Sequence, residues 1–367
     1  MHARWMTAAL AAVAVLSLAG PATAQETAAG GTAARGTPAR WTPARGATMT
    51  ASQPDSPAKS GPFVTLLFSR SEMTASDNCV ENDTNIARLD TTVAPYLQSF
   101  GMTGTGSVET GRTQTNRYFC THRGDTLATS WAGATNLARD YGWSFVSHTA
   151  TYPSDISKLT PSQQYAETCG SAETLDAHGL PGAHGLIAYP GDEHSPAPTQ
   201  ATYGAECFAW GRRFSSEATD VTTPADAAKK PYWQYTVGVN GGACNTPSAQ
   251  CYTIPENGKF HYTMPSTIIS EIDALRPGQW FTLEAYVLVE GTNPSYVRNG
   301  TRWDCTSSNP ALHWTNDEER YCYSDYQQIV RAIAAYNFKA VISGTAPIEV
   351  TDPQTVGIAF GRPSTYP

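Results

Sequence analysis

From Phe63 onward the chain alternates between short apolar runs and stretches in which apolar residues recur every three or four positions. Phe63-Val64-Thr65-Leu66-Leu67-Phe68 is rich in β-formers, which predicts a strand buried on both faces. Ile86, Leu89, Val93, Tyr96 and Leu97 follow at helical spacing, and Gly101 stops that helix. Residues 103–109 predict a second strand. Residues 127–141 predict a helix with Trp131, Ala134, Leu137 and Ala138 on one face and Gly142 beyond its end. Ser144 to Ser147 predicts a third strand, which delivers His148 at its carboxyl end. Thr160 and Pro161 suit the N-cap and first position of the next helix. Further on, the pattern predicts strands around 183–189 and 232–239 and a helix over 266–275. After a Pro277-Gly278 turn come a strand over 280–289, a helix over 326–336 and a final strand over 339–343.

Strands alternating with helices imply a parallel sheet with crossovers. The number of units suits an α/β fold, a (β/α) barrel of seven or eight parallel strands, closed or incomplete. Sites in such barrels sit at the carboxyl ends of the strands, where His148 falls. Residues 191–231 and 291–325 are rich in Pro, Ser and Asn and contain cysteines, and they read as long disulfide-pinned loops.

The first residues have a different pattern. Arg4 precedes an apolar run from Ala8 to Leu18, and Ala22-Thr23-Ala24 forms an A-x-A cleavage site. Residues 1–24 therefore read as a secretory signal peptide, too short in its apolar part to span a bilayer. Residues 25–60 are Ala, Gly, Thr, Pro and Ser with almost no large apolar side chain. Such a segment cannot offset its ordering entropy and reads as a flexible spacer. Residues 61–367 form the expected globular domain, and the protein is expected to be secreted and monomeric, with no membrane partner.

All eight cysteines lie in that domain. In an exported chain an even number argues for disulfides. No C-x-x-C pair occurs, which disfavours zinc. Pairing of neighbours is the simplest arrangement: Cys79–Cys120, Cys169–Cys207, Cys244–Cys251 and Cys305–Cys322. Charge narrows the partners. Five of the 24 Lys and Arg and two of the 32 Asp and Glu precede residue 61, which leaves 19 basic against 30 acidic residues, a net charge of −11. So acidic a domain repels phosphate backbones, which disfavours nucleic acid. The 9 Trp and 18 Tyr would suit stacking on sugar faces as well as ordinary packing.

The segment Ser144-Phe145-Val146-Ser147-His148-Thr149-Ala150-Thr151-Tyr152-Pro153, with the later Ile272-Asp273-Ala274-Leu275-Arg276-Pro277-Gly278-Gln279-Trp280-Phe281-Thr282-Leu283, resembles two landmarks of the polysaccharide deacetylase family. The resemblance runs from about Phe63 to Val350. It implies a deacetylase-type barrel, a polysaccharide or oligosaccharide partner and a hydrolase of extracellular glycan. The family's first strand ends in an aspartate pair, which falls here on Ser69 and Arg70. Of its two metal-binding histidines, the first matches His148 and the second falls on Tyr152. Its Arg-x-Pro motif falls on Ala188-Tyr189-Pro190, and its late catalytic histidine near Glu284. With two of three expected ligands replaced, the resemblance implies no cofactor; a divalent metal would be expected only with the full family mechanism.

The candidates for catalysis are accordingly Glu284, Asp77 and His148. Those for substrate binding are Tyr152, Tyr189, Asp192, His194 and Arg70. Glu284 interrupts an apolar strand, so it either faces the cleft as a general acid or pairs with a cation such as Arg70. His178 and His184 lie near Asp192, Glu193 and His194 in the sequence, a cluster that also reads as a solvated turn. Two other readings stand beside deacetylation. One is a glycan-binding protein that has lost catalysis. The other is a glycoside hydrolase using Glu72 or Asp77 with Glu284. A serine esterase lacks its G-x-S-x-G elbow.

Overall fold

The structure, a computed structural model, describes residues 61–69, 87–111, 131–153, 155–190, 203–214, 221–229, 231–232, 234–238, 251–253, 261–285, 287–293, 303–308 and 320–366. Its centre is a ring of seven parallel strands: β1 Phe63–Phe68, β2 Thr105–Val108, β3 Ser144–Ser147, β4 Leu186–Ala188, β5 Trp210–Phe214, β6 Gln234–Gly238 and β7 Trp280–Ala285. Each pairs with the next, and β7 returns to β1 over six residues in register, Phe63 with Trp280 through to Phe68 with Ala285. Closure leaves the seven strands of the ring without a free edge. The ladder is thinnest between β3 and β4, where Ser147 with Ile187 is the one pair in register. A short strand, Glu349–Val350, pairs with the start of β1.

The period-two alternation of strands explains why these runs are apolar on both faces. Outward residues such as Val64, Leu66, Phe68, Phe145, Phe281 and Leu283 pack against helices, through Leu89, Val93, Leu137, Ile268, Ile272, Ile329 and Ile333. Inward residues Phe63, Leu67, Val146, Leu186, Ala188, Trp210 and Trp280 form a second cluster inside the ring. Trp210 and Trp280 lie 5.3 Å apart and make an aromatic floor. The Trp280 indole N–H donates to Thr65 Oγ1 at 3.0 Å and that of Trp210 to the Pro353 carbonyl at 2.9 Å. The C-terminal helix Pro353–Ala359 is thereby fixed to the barrel's amino end.

Most predicted elements are present. Gly142, at φ 67°, ends the helix Trp131–Tyr141, and Gly278, at φ 77°, turns the chain into β7. Thr160 caps the helix Pro161–Glu167 in a reciprocal capping box with Gln163. The disulfides Cys169–Cys207 and Cys305–Cys322 form as expected; Cys79, Cys120 and Cys244 lie outside the described residues, and with them the other two expected pairs.

Three expectations are corrected. Residues 339–343 are not a strand but the last turns of the helix Tyr323–Ser343, which runs on to Gly344 in the left-handed conformation. Residues 191–231 are not all loop, for they contain β5 and the helix Pro224–Lys229. The predicted strand over 280–289 is two: Trp280–Ala285 in the barrel, and Val287–Val289, which leaves it to pair with Arg320–Cys322. Among the described residues, no helix is long and apolar enough to cross a membrane.

Candidate functional site

At the carboxyl end of the ring the inward side chains become polar. Ser69 beyond β1 and Ser107 on β2 place their hydroxyls 3.5 Å apart, and both are buried. One residue past β3, His148 is only 3% exposed, and its Nδ1 lies 2.9 Å from the Ala188 carbonyl of β4. A carbonyl oxygen only accepts, so Nδ1 carries a proton and the neutral ring has its lone pair on Nε2. His148 thus bridges to the end of the neighbouring strand.

Ala188 stands in register with Arg212 of β5. Arg212 points into the ring one layer above Trp210 and forms an ion pair with Glu284 of β7. The arginine is 1% exposed and the glutamate 0%. Glu284 itself stands level with Leu67 of β1 and Gly238 of β6. The cation that sequence reasoning sought at Arg70 therefore comes from a strand that the sequence pattern hid. Trp-Gly-Arg-Arg-Phe carries two arginines in five residues, which reads as loop by hydropathy. Inside a closed barrel the same charge is tolerated because a carboxylate answers it.

The turn after His148 is under backbone strain. Thr149 and Tyr152 sit at φ 67° and 55°, a region that costs an L-residue about 1–2 kcal/mol and a β-branched one in particular. A dense set of bonds holds it there. The Thr149 N–H donates to Ser147 Oγ at 3.0 Å, and the Tyr152 N–H to Thr149 Oγ1 at 3.1 Å. The Glu167 carboxylate accepts from the Ala150 N–H at 3.0 Å, the Thr151 N–H at 2.8 Å and the Thr151 hydroxyl at 2.6 Å. Glu167 is the last residue of its helix and is buried. The result is a half-buried Tyr152 whose ring stands nearly perpendicular to that of His148, with centroids 5.0 Å apart. Glu167 was not among the sequence candidates. Its signal, a carboxylate at a helix end amid polar residues, is common to many solvated positions.

Other candidates are placed elsewhere. Tyr189 points to the outer face of the ring, 2% exposed in a cluster with Ile156, Ile187, Phe208 and the Cys169–Cys207 disulfide. Burial pushes its hydroxyl well above the usual tyrosine range, and it presents no surface to the barrel mouth. His184 joins no cleft cluster either. Its ring nitrogens lie 2.7 Å from the Cys207 carbonyl and 2.9 Å from the Asp176 carboxylate, and it stacks on Tyr366. His178 stacks on Trp131 at 3.7 Å. Asp77, Asp192, His194 and Arg70 lie outside the described residues, as do Glu72 and Glu193.

Among the described residues, the donor set at the mouth does not suit a divalent metal. His148 has one nitrogen committed to a carbonyl. The inward groups around it are a phenol, two alcohols and a guanidinium already matched by its own carboxylate. Among the described residues, no three His, Cys, Asp or Glu side chains converge.

No protein-family model matches the chain, and no curated protein matches it in sequence. Solved structures similar to it include a mutant of the peptidoglycan deacetylase PdaC from Bacillus subtilis. That match has 10% identity and a TM-score of 0.34, over 82% of this chain and 92% of that one. A second is the Bc1960 peptidoglycan N-acetylglucosamine deacetylase in complex with an N-oxidanyl-benzamide, at 10% identity and a TM-score of 0.33, over 80% of this chain and 89% of that one. Likenesses this distant decide neither fold nor activity, and the barrel stands on its own ladder of paired strands.

Proposed function

We propose that this chain is a secreted, carbohydrate-directed protein on a deacetylase-like barrel, and that it holds an N-acetylated glycan at the barrel mouth without metal-dependent hydrolysis. The observation that carries this reading is the Arg212–Glu284 pair. The metal-dependent hydrolysis that the resemblance implies needs a carboxylate base that exchanges a proton with the reacting atoms. Glu284, the one carboxylate candidate within the described interior, instead neutralises a buried guanidinium. Among the described residues, what remains at the mouth is suited to recognition: an aromatic ring, an imidazole and hydroxyls. Tyrosine rings stack on sugar faces, and hydroxyls and imidazole nitrogens exchange hydrogen bonds with sugar hydroxyls and amides. The signal-like N-terminus supports export, and so do the two disulfides, which oxidising compartments sustain.

A second reading, hydrolysis by a divergent site, is favoured by the strain at Thr149 and Tyr152, because strained backbone collects at reactive sites. Incubation with chitohexaose, a soluble N-acetylglucosamine oligomer, separates the two. Calorimetry is expected to show saturable binding, and mass spectrometry an oligomer of unchanged mass. Loss of acetyl groups or shortening of the oligomer would replace binding with hydrolysis.

A further inference from the structure

We infer that Glu167 is a positioning residue for this site: its carboxylate clamps the strained turn 149–152 and so sets the Tyr152 ring against His148 as a preformed edge for a sugar. The inference rests on the reading of the barrel mouth as a glycan site and deepens it.

The geometry separates Glu167 from an ordinary helix-end carboxylate. Its oxygens reach back across the loop to two consecutive backbone N–H groups and one side-chain hydroxyl, and its own carbonyl also accepts from the Ala150 N–H, at 3.1 Å. Two successive N–H groups converge on one oxygen only when the intervening peptide is turned towards it. That turn lies between the residues at positive φ, Thr149 and Tyr152. The left-handed conformations and the clamp thus require each other. From the other side the turn is pinned to the β2 end, where the Thr110 and Gly111 N–H groups donate to the carbonyls of Thr149 and Ala150 at 3.1 and 2.8 Å. The helix bearing Glu167 is itself fixed, by the Thr160–Gln163 capping box at its start and by the Cys169–Cys207 disulfide just beyond its end. A chain of rigid parts therefore runs from the outer helix to the ring of Tyr152. Thr151 is exposed and Tyr152 half-buried at the tip, so what the clamp orders is the surface that a ligand meets. Pre-ordering such a turn reduces the entropy lost when a ligand binds.

Glu167→Ala and Glu167→Gln test this with two readouts, chitohexaose affinity and the Hε1 resonance of His148, which senses the Tyr152 ring current. Tyr152→Leu is the reference for the resonance, and His148→Ala, read by affinity alone, tests the glycan site. Glu167→Ala should move that resonance as Tyr152→Leu does and weaken binding by about tenfold, the loss of one charge-assisted cluster. Glu167→Gln keeps an acceptor for the backbone N–H groups and should stay within about threefold of wild type. If Glu167→Ala does not fold, Glu167→Asp takes its place. Its carboxylate is one methylene shorter and falls short of the Ala150 and Thr151 N–H groups, so it should shift the resonance and weaken binding in the same direction. An unmoved resonance or an unchanged affinity in Glu167→Ala, or in its replacement, overturns the inference, and if His148→Ala still abolishes binding, the glycan reading survives that failure. If His148→Ala binds chitohexaose as wild type does, the glycan reading falls, while the resonance still decides whether Glu167 sets the turn.

Discussion

Arg212 reaches Glu284 inside the closed ring, and each is the other's protection against burial. Removing one partner strands a charge away from water, which typically costs about 3–5 kcal/mol, whereas replacing both with apolar side chains is often neutral. Arg212→Met alone is therefore expected to lower unfolding free energy by roughly that amount. The double variant Arg212→Met, Glu284→Leu should recover most of the loss. Denaturant unfolding of wild type, Arg212→Met, Glu284→Leu and the double variant checks this; a double variant as unstable as the sum of the two singles would mean that the pair does not act as a unit. Glu284 was legible in the sequence because a charge breaks an apolar run. Its partner was not, because no local pattern tells which of several arginines a closing barrel brings opposite. His148 was legible for a simpler reason: a residue just past a buried strand has its place fixed by the strand itself. Tyr189, one position past β4, shows the limit of that logic, since period two sends alternate residues to the outer face.

The elements that sequence reading missed share a cause. β5 contains two arginines, and the last turns of the helix Tyr323–Ser343 contain Val341 and Ile342, both about 70% exposed. In each case composition opposed the tertiary outcome. The helix is decided earlier, by Ile329, Val330 and Ile333 packing beside Ile268 and Ile272, and then simply continues to Gly344. The long apolar strand β1 and the capped helix at Thr160 were legible because pattern, cap and packing agree there. The Cys169–Cys207 disulfide ties the helix after Glu167 to the approach to β5, across 38 residues. Its replacement by Cys169→Ala with Cys207→Ala is expected to cost about 2–5 kcal/mol, read by thermal or denaturant unfolding. A variant as stable as wild type would mean that packing around Ile156, Ala172 and Phe208 holds these elements unaided. At the helix start, Thr160→Ala should cost about 1 kcal/mol through loss of the capping box.

For the whole molecule, the parallel barrel was legible through six of its seven strands, with β5 hidden by its two arginines, and the identity of the groups at its mouth only in part. A metal-dependent site would require several converging ligands, and the described mouth offers one imidazole beside a matched ion pair. Protein purified without chelator is therefore expected to contain no stoichiometric transition metal; about one ion per chain by elemental analysis would contradict this and point to a metal-dependent site. The central claim, that glycan is held at the barrel mouth beside His148, has one most direct test. Histidine-labelled protein is titrated with chitohexaose and followed by NMR. The His148 resonance is expected to shift saturably, while that of His184, held just before β4 at the barrel's amino end between Asp176 and Tyr366, stays in place. A His148 resonance that does not move at saturating sugar, or one that moves no more than His184, would contradict the claim.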